Sequence, residues 1–188
     1  MVTWRALLLV YRSIDLPGDF RHTLSDTEVA AGLESFARFP GLATELSGGE
    51  VGVSYEVVHV ERTLSSLTAM GEGMRWPSPN DTRPELDHLA PPGTHDSVFA
   101  IWPQRDPATG AEVATGGWGL AIRATEWSNG ATYATVANAS EAVWRRPVVG
   151  EVWLHEWLHG VCDHCARRSS IASNTSTLIR SGSHGPAK

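Results

Sequence analysis

The sequence has few cysteines and no long apolar segment. Among its 188 residues there are two cysteines, Cys162 and Cys165, and two are too few for a disulfide framework. Residues 6–10 form the longest apolar run near the N-terminus, and Arg5 and Arg12 bracket that run closely. A membrane-spanning helix needs about 20 apolar residues, and a signal peptide needs a longer apolar stretch than this one. We therefore expect no membrane partner and, by default, a cytoplasmic location.

The sequence also lacks a concentration of positive charge. It has 15 lysines and arginines against 21 aspartates and glutamates, for a formal net charge of -6. Acidic and basic residues are interspersed through the first 160 positions, so no basic stripe exists that would follow a phosphate backbone. Nucleic acid is thus excluded as an expected partner. An apolar content of 41% in a chain of this length fits one globular domain with a sizeable core.

The composition changes abruptly near the C-terminus. Residues 166–188 contain no acidic residue and are rich in serine, arginine and glycine, a composition typical of weakly structured segments. We therefore predict a folded domain over residues 1–163 and a weakly structured tail over residues 164–188.

Hydrophobic patterning predicts alternating strands and helices. A capping-box pair, Ser25 and Glu28, begins a helix that we expect to end at Pro40, and Pro147 is expected to open the last helix at its preferred first-turn position. Five prolines between residues 76 and 95 predict a long surface loop with at most a short helix near residues 85–89. Strands are predicted by apolar runs or by alternation at residues 4–11, 51–60, 98–102, 116–122 and 131–137. This order predicts an α/β or α+β fold with its helices on one face of a small mixed sheet.

The last predicted helix contains the segment His155-Glu156-Trp157-Leu158-His159. Histidines at positions i and i+4 stack on one side of a helix, so both imidazoles can converge on one cation. Glu156 is about 100° around the helix from His155, where its carboxylate can reach a water on that metal. Buried histidine and glutamate are costly unless they are paired or bind a metal. The pattern therefore predicts a zinc site, with a purely structural histidine pair as the alternative.

This motif and the element order resemble the zincin metallopeptidases, in particular the upper subdomain of the metzincin-type branch, and also uncharacterised bacterial proteins of the His-Glu-Trp-Leu-His type. The resemblance implies an α+β fold: a small mixed β-sheet, a backing helix, an active-site helix and a truncated lower subdomain. It implies that His155 and His159 bind Zn2+ and that Glu156 is the general base. It further implies that residues 116–122 pair with an extended peptide, so the expected substrate is a peptide or protein.

The third zinc ligand does not follow from the motif. Metzincins have glycine and then histidine or aspartate where this chain has Cys162 and Cys165. His164 is the favoured candidate, although it faces the two histidines only if the chain turns after Gly160. The other candidates are Cys165, Asp163 and His184.

Two further interpretations remain open. His155, His159, Cys162 and Cys165 together would make a closed four-ligand zinc site, which has no open position for water. Because only 25 residues follow Asp163, a non-catalytic or degenerate zincin-like domain is the alternative to a hydrolase.

Tyr133 and His95 are candidates for stabilising an oxyanion, but a core tyrosine and a solvated loop histidine are the simpler interpretation.

Overall fold

The structure, a computed structural model, describes residues 1–137 and 148–162. These residues form an α+β fold with a five-stranded mixed sheet, as predicted. The helices are α1 (Asp26–Leu46), α2 (Arg83–Leu89) and α3 (residues 151–162). The strands are β1 (Val2–Tyr11), β2 (Ser13–Leu16), β3 (Phe20–Thr23), β4 (Val51–Val60), β5 (Thr68–Ala69), β6 (Arg75–Trp76), β7 (Ser97–Trp102), β8 (Gly119–Ile122) and β9 (Thr132–Ala137). The tail predicted at residues 164–188 lies outside the described residues.

The main sheet has the strand order β4-β1-β7-β9-β8. Its first four strands are parallel, and β8 pairs with β9 in the antiparallel direction at one edge. β1 lies between two neighbours and is covered on both faces, which explains why it is a continuous apolar run. All five predicted strands are confirmed, and β8 is the last strand of the sheet within the described residues.

Alternate residues of the central strands feed two separate cores. Leu8 and Phe99 face α1 and α3, where they pack with Phe36 and Trp153. Leu7 and Trp102 face the opposite side, where they pack with Trp76 and Leu86. The predicted one-sided arrangement of helices is therefore correct for α1 and α3. It is wrong for α2, which covers the other face.

The proline-rich segment after β6 is only in part the surface loop that we predicted, because its first half is largely buried. Ser78, Asp81 and Leu86 are at most 8% exposed, although the short helix near residues 85–89 is present as α2. The Asp81 carboxylate accepts hydrogen bonds from the backbone N–H groups of Ser78 and Thr68. Polar backbone groups can be buried where hydrogen bonds satisfy them. Here Ser78 belongs to the proline-rich segment, whereas Thr68 comes from an earlier part of the chain.

Both long helices differ from their predicted ends. α1 continues beyond Pro40 to Leu46 because Ala43 is buried in the core after the proline, and that packing offsets the hydrogen bond that proline removes. α3 begins at residue 151, since Gly150 has a φ of +90° and cannot extend a right-handed helix. Pro147 itself lies outside the described residues. No helix within the described ranges has both the length and the apolar character needed to span a membrane.

Candidate metal centre

Helix α3 is anchored by its aromatic face. The Trp153 indole N–H donates a hydrogen bond to the Ser35 hydroxyl of α1 at 3.2 Å. The Trp157 ring packs edge-on against Trp4 at 5.6 Å and Phe39 at 5.5 Å between centroids. Residues two positions apart on a helix point in nearly opposite directions, about 200° apart. Anchoring Trp153 and Trp157 in the core therefore turns His155 and His159 outward.

The two histidines converge on one point. Their Nε2 atoms lie 3.1 Å apart, and their ring centroids lie 4.7 Å apart with the planes at 82°. A tetrahedral zinc with Zn–N bonds of about 2.0–2.1 Å separates two nitrogen ligands by about 3.3 Å. The observed separation of 3.1 Å is close to this value, so the two histidines can bind zinc without a change in the backbone conformation of α3. A hydrogen bond between two neutral imidazoles fits the same distance, so the pair is also satisfied without a metal.

Glu156 lies beside this pair but in a different environment. His155 and His159 are exposed, whereas Glu156 is 6% exposed. Burial raises the pKa of Glu156 to about 7, because an apolar environment disfavours the charged carboxylate. A cation nearby would oppose this effect and favour the ionised form. The carboxylate is thus poised to hold or release a proton near neutral pH.

A cleft of about 840 Å3 connects these three side chains to the edge of the sheet. His155, Glu156 and His159 line one side, and β8 with the segment after it lines the other. Trp118 and Trp127, which are 51% and 36% exposed, form part of the wall. Trp153 and Trp157, by contrast, lie in the core. The volume is in the range of small-molecule and peptide side-chain sites.

The third ligand is not assigned by the described residues. Within residues 1–137 and 148–162, no group of three histidine, cysteine, aspartate or glutamate side chains is arranged to hold a metal. Cys162 is exposed at the last described position of α3. The candidates His164, Cys165, Asp163 and His184 all lie outside the described residues, as does part of the closed four-ligand site.

Tyr133 and His95 do not line the cleft. Tyr133 is 1% exposed in the core on the opposite face of the sheet, and its hydroxyl lies 3.1 Å from the Thr82 hydroxyl. The His95 ring lies 2.7 Å from the Glu56 carboxylate. The simpler interpretation of Tyr133 as a core residue is confirmed. The expectation of a solvated histidine at residue 95 is wrong, because that side chain is 12% exposed. Neither side chain is placed where the suggested oxyanion role would need it.

Sequence reasoning missed the close contact between Gly119 and Glu156. A Cβ atom at Gly119 would lie 2.4 Å from the Glu156 Cδ atom. The signal was the glycine-rich run at residues 116–119. The space that a Cβ atom would need is occupied by the side chain of Glu156.

Comparisons with known proteins found little similarity. No protein-family model and no curated protein matches the chain. Among solved structures, metalloproteinase-II from Bacteroides fragilis is similar over 73% of this chain, with 11% sequence identity and a TM-score of 0.40. The similar region spans 38% of that protein. A similarity this distant carries no argument about function.

Proposed function

We propose that the chain is a zinc-dependent metallopeptidase in which His155 and His159 bind the metal and Glu156 is the general base. The observation that supports this proposal most strongly is the 3.1 Å approach of the two Nε2 atoms at the wall of a cleft. A histidine pair kept only for stability has no need of an adjoining cleft of about 840 Å3. The catalytic unit is assigned to residues 1–163, and the substrate class is a peptide or protein.

Each motif residue has a distinct role in the proposed reaction. When bound, zinc polarises a substrate carbonyl and lowers the pKa of a coordinated water. His155 and His159 hold the metal through Nε2. Glu156 accepts a proton from the attacking water at its carboxylate and returns it to the departing amine. Its place in the wall of the cleft that the two histidines also line supports this role.

The substrate is proposed to bind along β8. This strand pairs with β9 on one side and is the last strand of the sheet as described. An edge strand presents backbone N–H and C=O groups that pair with an extended peptide. Because β8 lines the same cleft as the motif, a peptide bound there would pass the two imidazoles.

The third metal ligand is proposed to come from residues 163–188, with His164 favoured over Cys165, Asp163 and His184. A site with three protein ligands retains an open position for water and substrate. The second candidate function is a non-catalytic metal-binding domain. It is favoured by the absence of a third ligand beside the pair within the described residues.

One experiment separates these functions. Zinc content and cleavage of an unstructured protein are measured for the purified chain, for Glu156→Ala and for His155→Ala. His88→Ala, which removes an exposed histidine of α2, is the matched control. The metallopeptidase proposal expects one zinc per chain and cleavage that Glu156→Ala abolishes and His88→Ala preserves. Two results would reject the enzyme and favour the metal-binding domain. The first is bound zinc with no cleavage by the wild type, and the second is bound zinc with equal cleavage by the wild type and Glu156→Ala.

A further inference from the structure

Gly119 lacks a side chain at the point where β8 passes Glu156. A Cβ atom at this position would lie 2.4 Å from Cδ, 2.5 Å from Cγ and 2.6 Å from Oε1 of Glu156. Non-bonded carbon atoms are separated by about 3.5–4.0 Å at their optimum. Gly119 does not have a positive φ, so its backbone conformation is accessible to other residues. Glycine is required at residue 119 because the Glu156 side chain leaves no space for a Cβ atom, and not because of the backbone conformation.

The alternation of side chains along β8 explains this arrangement. Leu120 and Ile122 pack toward the core that contains Trp76 and Trp102. Gly119 and Ala121, at the intervening positions, therefore face α3. Small residues on that face leave clearance between the strand and the helix.

Helix α3 is packed on two sides. One turn after Glu156, Gly160 approaches the same part of the sheet: a Cβ atom there would lie 3.1 Å from Thr132 Cβ and 3.3 Å from the Ile122 carbonyl oxygen. Trp153 and Trp157 hold the other side of α3 in the core. A methyl group at residue 119 must therefore be accommodated by the Glu156 side chain, which is flexible, and not by the backbone.

We propose that Gly119 is a positioning residue for the general base: its missing side chain provides the space in which the Glu156 carboxylate lies, in the cleft that the two imidazoles also line. This inference rests on the proposed function for its catalytic consequence. Any side chain at residue 119 displaces the carboxylate from that position while leaving His155 and His159 unchanged.

Gly119→Ala tests this inference, with Gly41→Ala as the matched control. Gly41 lies on α1, and a Cβ atom there would meet nothing within 4 Å. Zinc content, kcat and KM are measured for both variants. The position of Glu156 is followed independently of activity by the 13C resonance of its carboxyl carbon in the metal-free protein, assigned by its loss in Glu156→Gln.

The proposal expects Gly119→Ala to retain zinc and KM, to lose about 100-fold in kcat, and to shift the Glu156 resonance. Gly41→Ala should match the wild type in all four measurements. Wild-type kcat in Gly119→Ala, or an unmoved Glu156 resonance, would overturn the proposal.

A loss of stability in Gly119→Ala is also informative. Shortening residue 156 creates room for the added methyl group, so the Gly119→Ala/Glu156→Ala double variant should melt at the temperature of Glu156→Ala. An equal loss of melting temperature in both backgrounds would mean that the methyl group clashes elsewhere, and would overturn the proposal. If the wild type cleaves no substrate, the proposed function fails, while the resonance and the melting temperatures still decide whether Gly119 positions Glu156.

Discussion

Gly160 of α3 lies against Thr132 of β9, and a Cβ atom at residue 160 would lie 3.1 Å from that of Thr132. This contact sets the distance between the motif helix and the sheet. Gly160→Val should destabilise the fold by about 2 kcal/mol through overpacking and weaken zinc binding by moving the turn that holds His159. Chemical denaturation and zinc titration measure both effects.

The control for Gly160→Val is the same substitution at Gly41, where a Cβ atom meets nothing within 4 Å. Valine at this exposed helical position should leave stability unchanged or slightly raised, because glycine is the poorer helix former. Equal stability losses at the two positions would mean that the Thr132 contact does not limit the helix.

Glu156→Gln separates metal binding from proton transfer. Glutamine retains the shape of the side chain but cannot accept the proton, so we expect unchanged zinc content and a loss of kcat of at least about 100-fold. The measurement is kcat and zinc content on the same preparation. Loss of zinc in this variant would instead make Glu156 a ligand.

The Ser35 hydroxyl should contribute to the placement of the motif. Ser35→Ala leaves the buried Trp153 indole N–H without the partner described here, which costs about 1–3 kcal/mol. Ser65→Ala removes an exposed hydroxyl and serves as the control. If the two variants have the same free energy of unfolding, the Trp153 contact adds nothing to the stability of α3.

Stability should depend on pH through Glu85. Burial alone would raise the pKa of Glu85, but hydrogen bonds from Arg62 and Tyr11, at 2.7 Å each to Oε2, outweigh it and lower the pKa below its ordinary value of 4.5. A lowered pKa in the folded state stabilises the protein above the unfolded-state value, and this contribution is lost as the pH falls below about 4.5.

Glu85→Gln tests this dependence. The variant should be less stable than the wild type by about 2 kcal/mol at pH 7, and the difference should shrink as the pH falls below 4.5. Exposed Glu61 provides the control variant Glu61→Gln. A difference that stays constant with pH would exclude the ionised Glu85 as its source.

Local patterning was enough to predict the strands and the beginning of α1. β1 and β7 are apolar because both of their faces are covered, and the Ser25–Glu28 capping box forms as expected. These features depend on neighbouring residues along the chain. The spacing of His155 and His159 likewise determines that their rings face the same side of α3.

Features that depend on distant contacts did not follow from the sequence. The segment around Asp81 is buried because residues such as Thr68, from another part of the chain, pair with it. The Gly119–Glu156 contact exists because the topology brings β8 alongside α3, and no local pattern reports that approach. The proposed third ligand did not follow from the motif either, because Cys162 and Cys165 stand where metzincins have glycine and then histidine or aspartate.

Zinc affinity is the measurement that tests the account most directly. Isothermal titration of the metal-free protein with zinc should give one site per chain in the wild type and in the His88→Ala control. His155→Ala and His159→Ala should each weaken that site by at least about 100-fold, since each removes one of the three protein ligands that a catalytic zinc site needs. Wild-type affinity in either variant would show that the pair is not the metal site and would contradict the account.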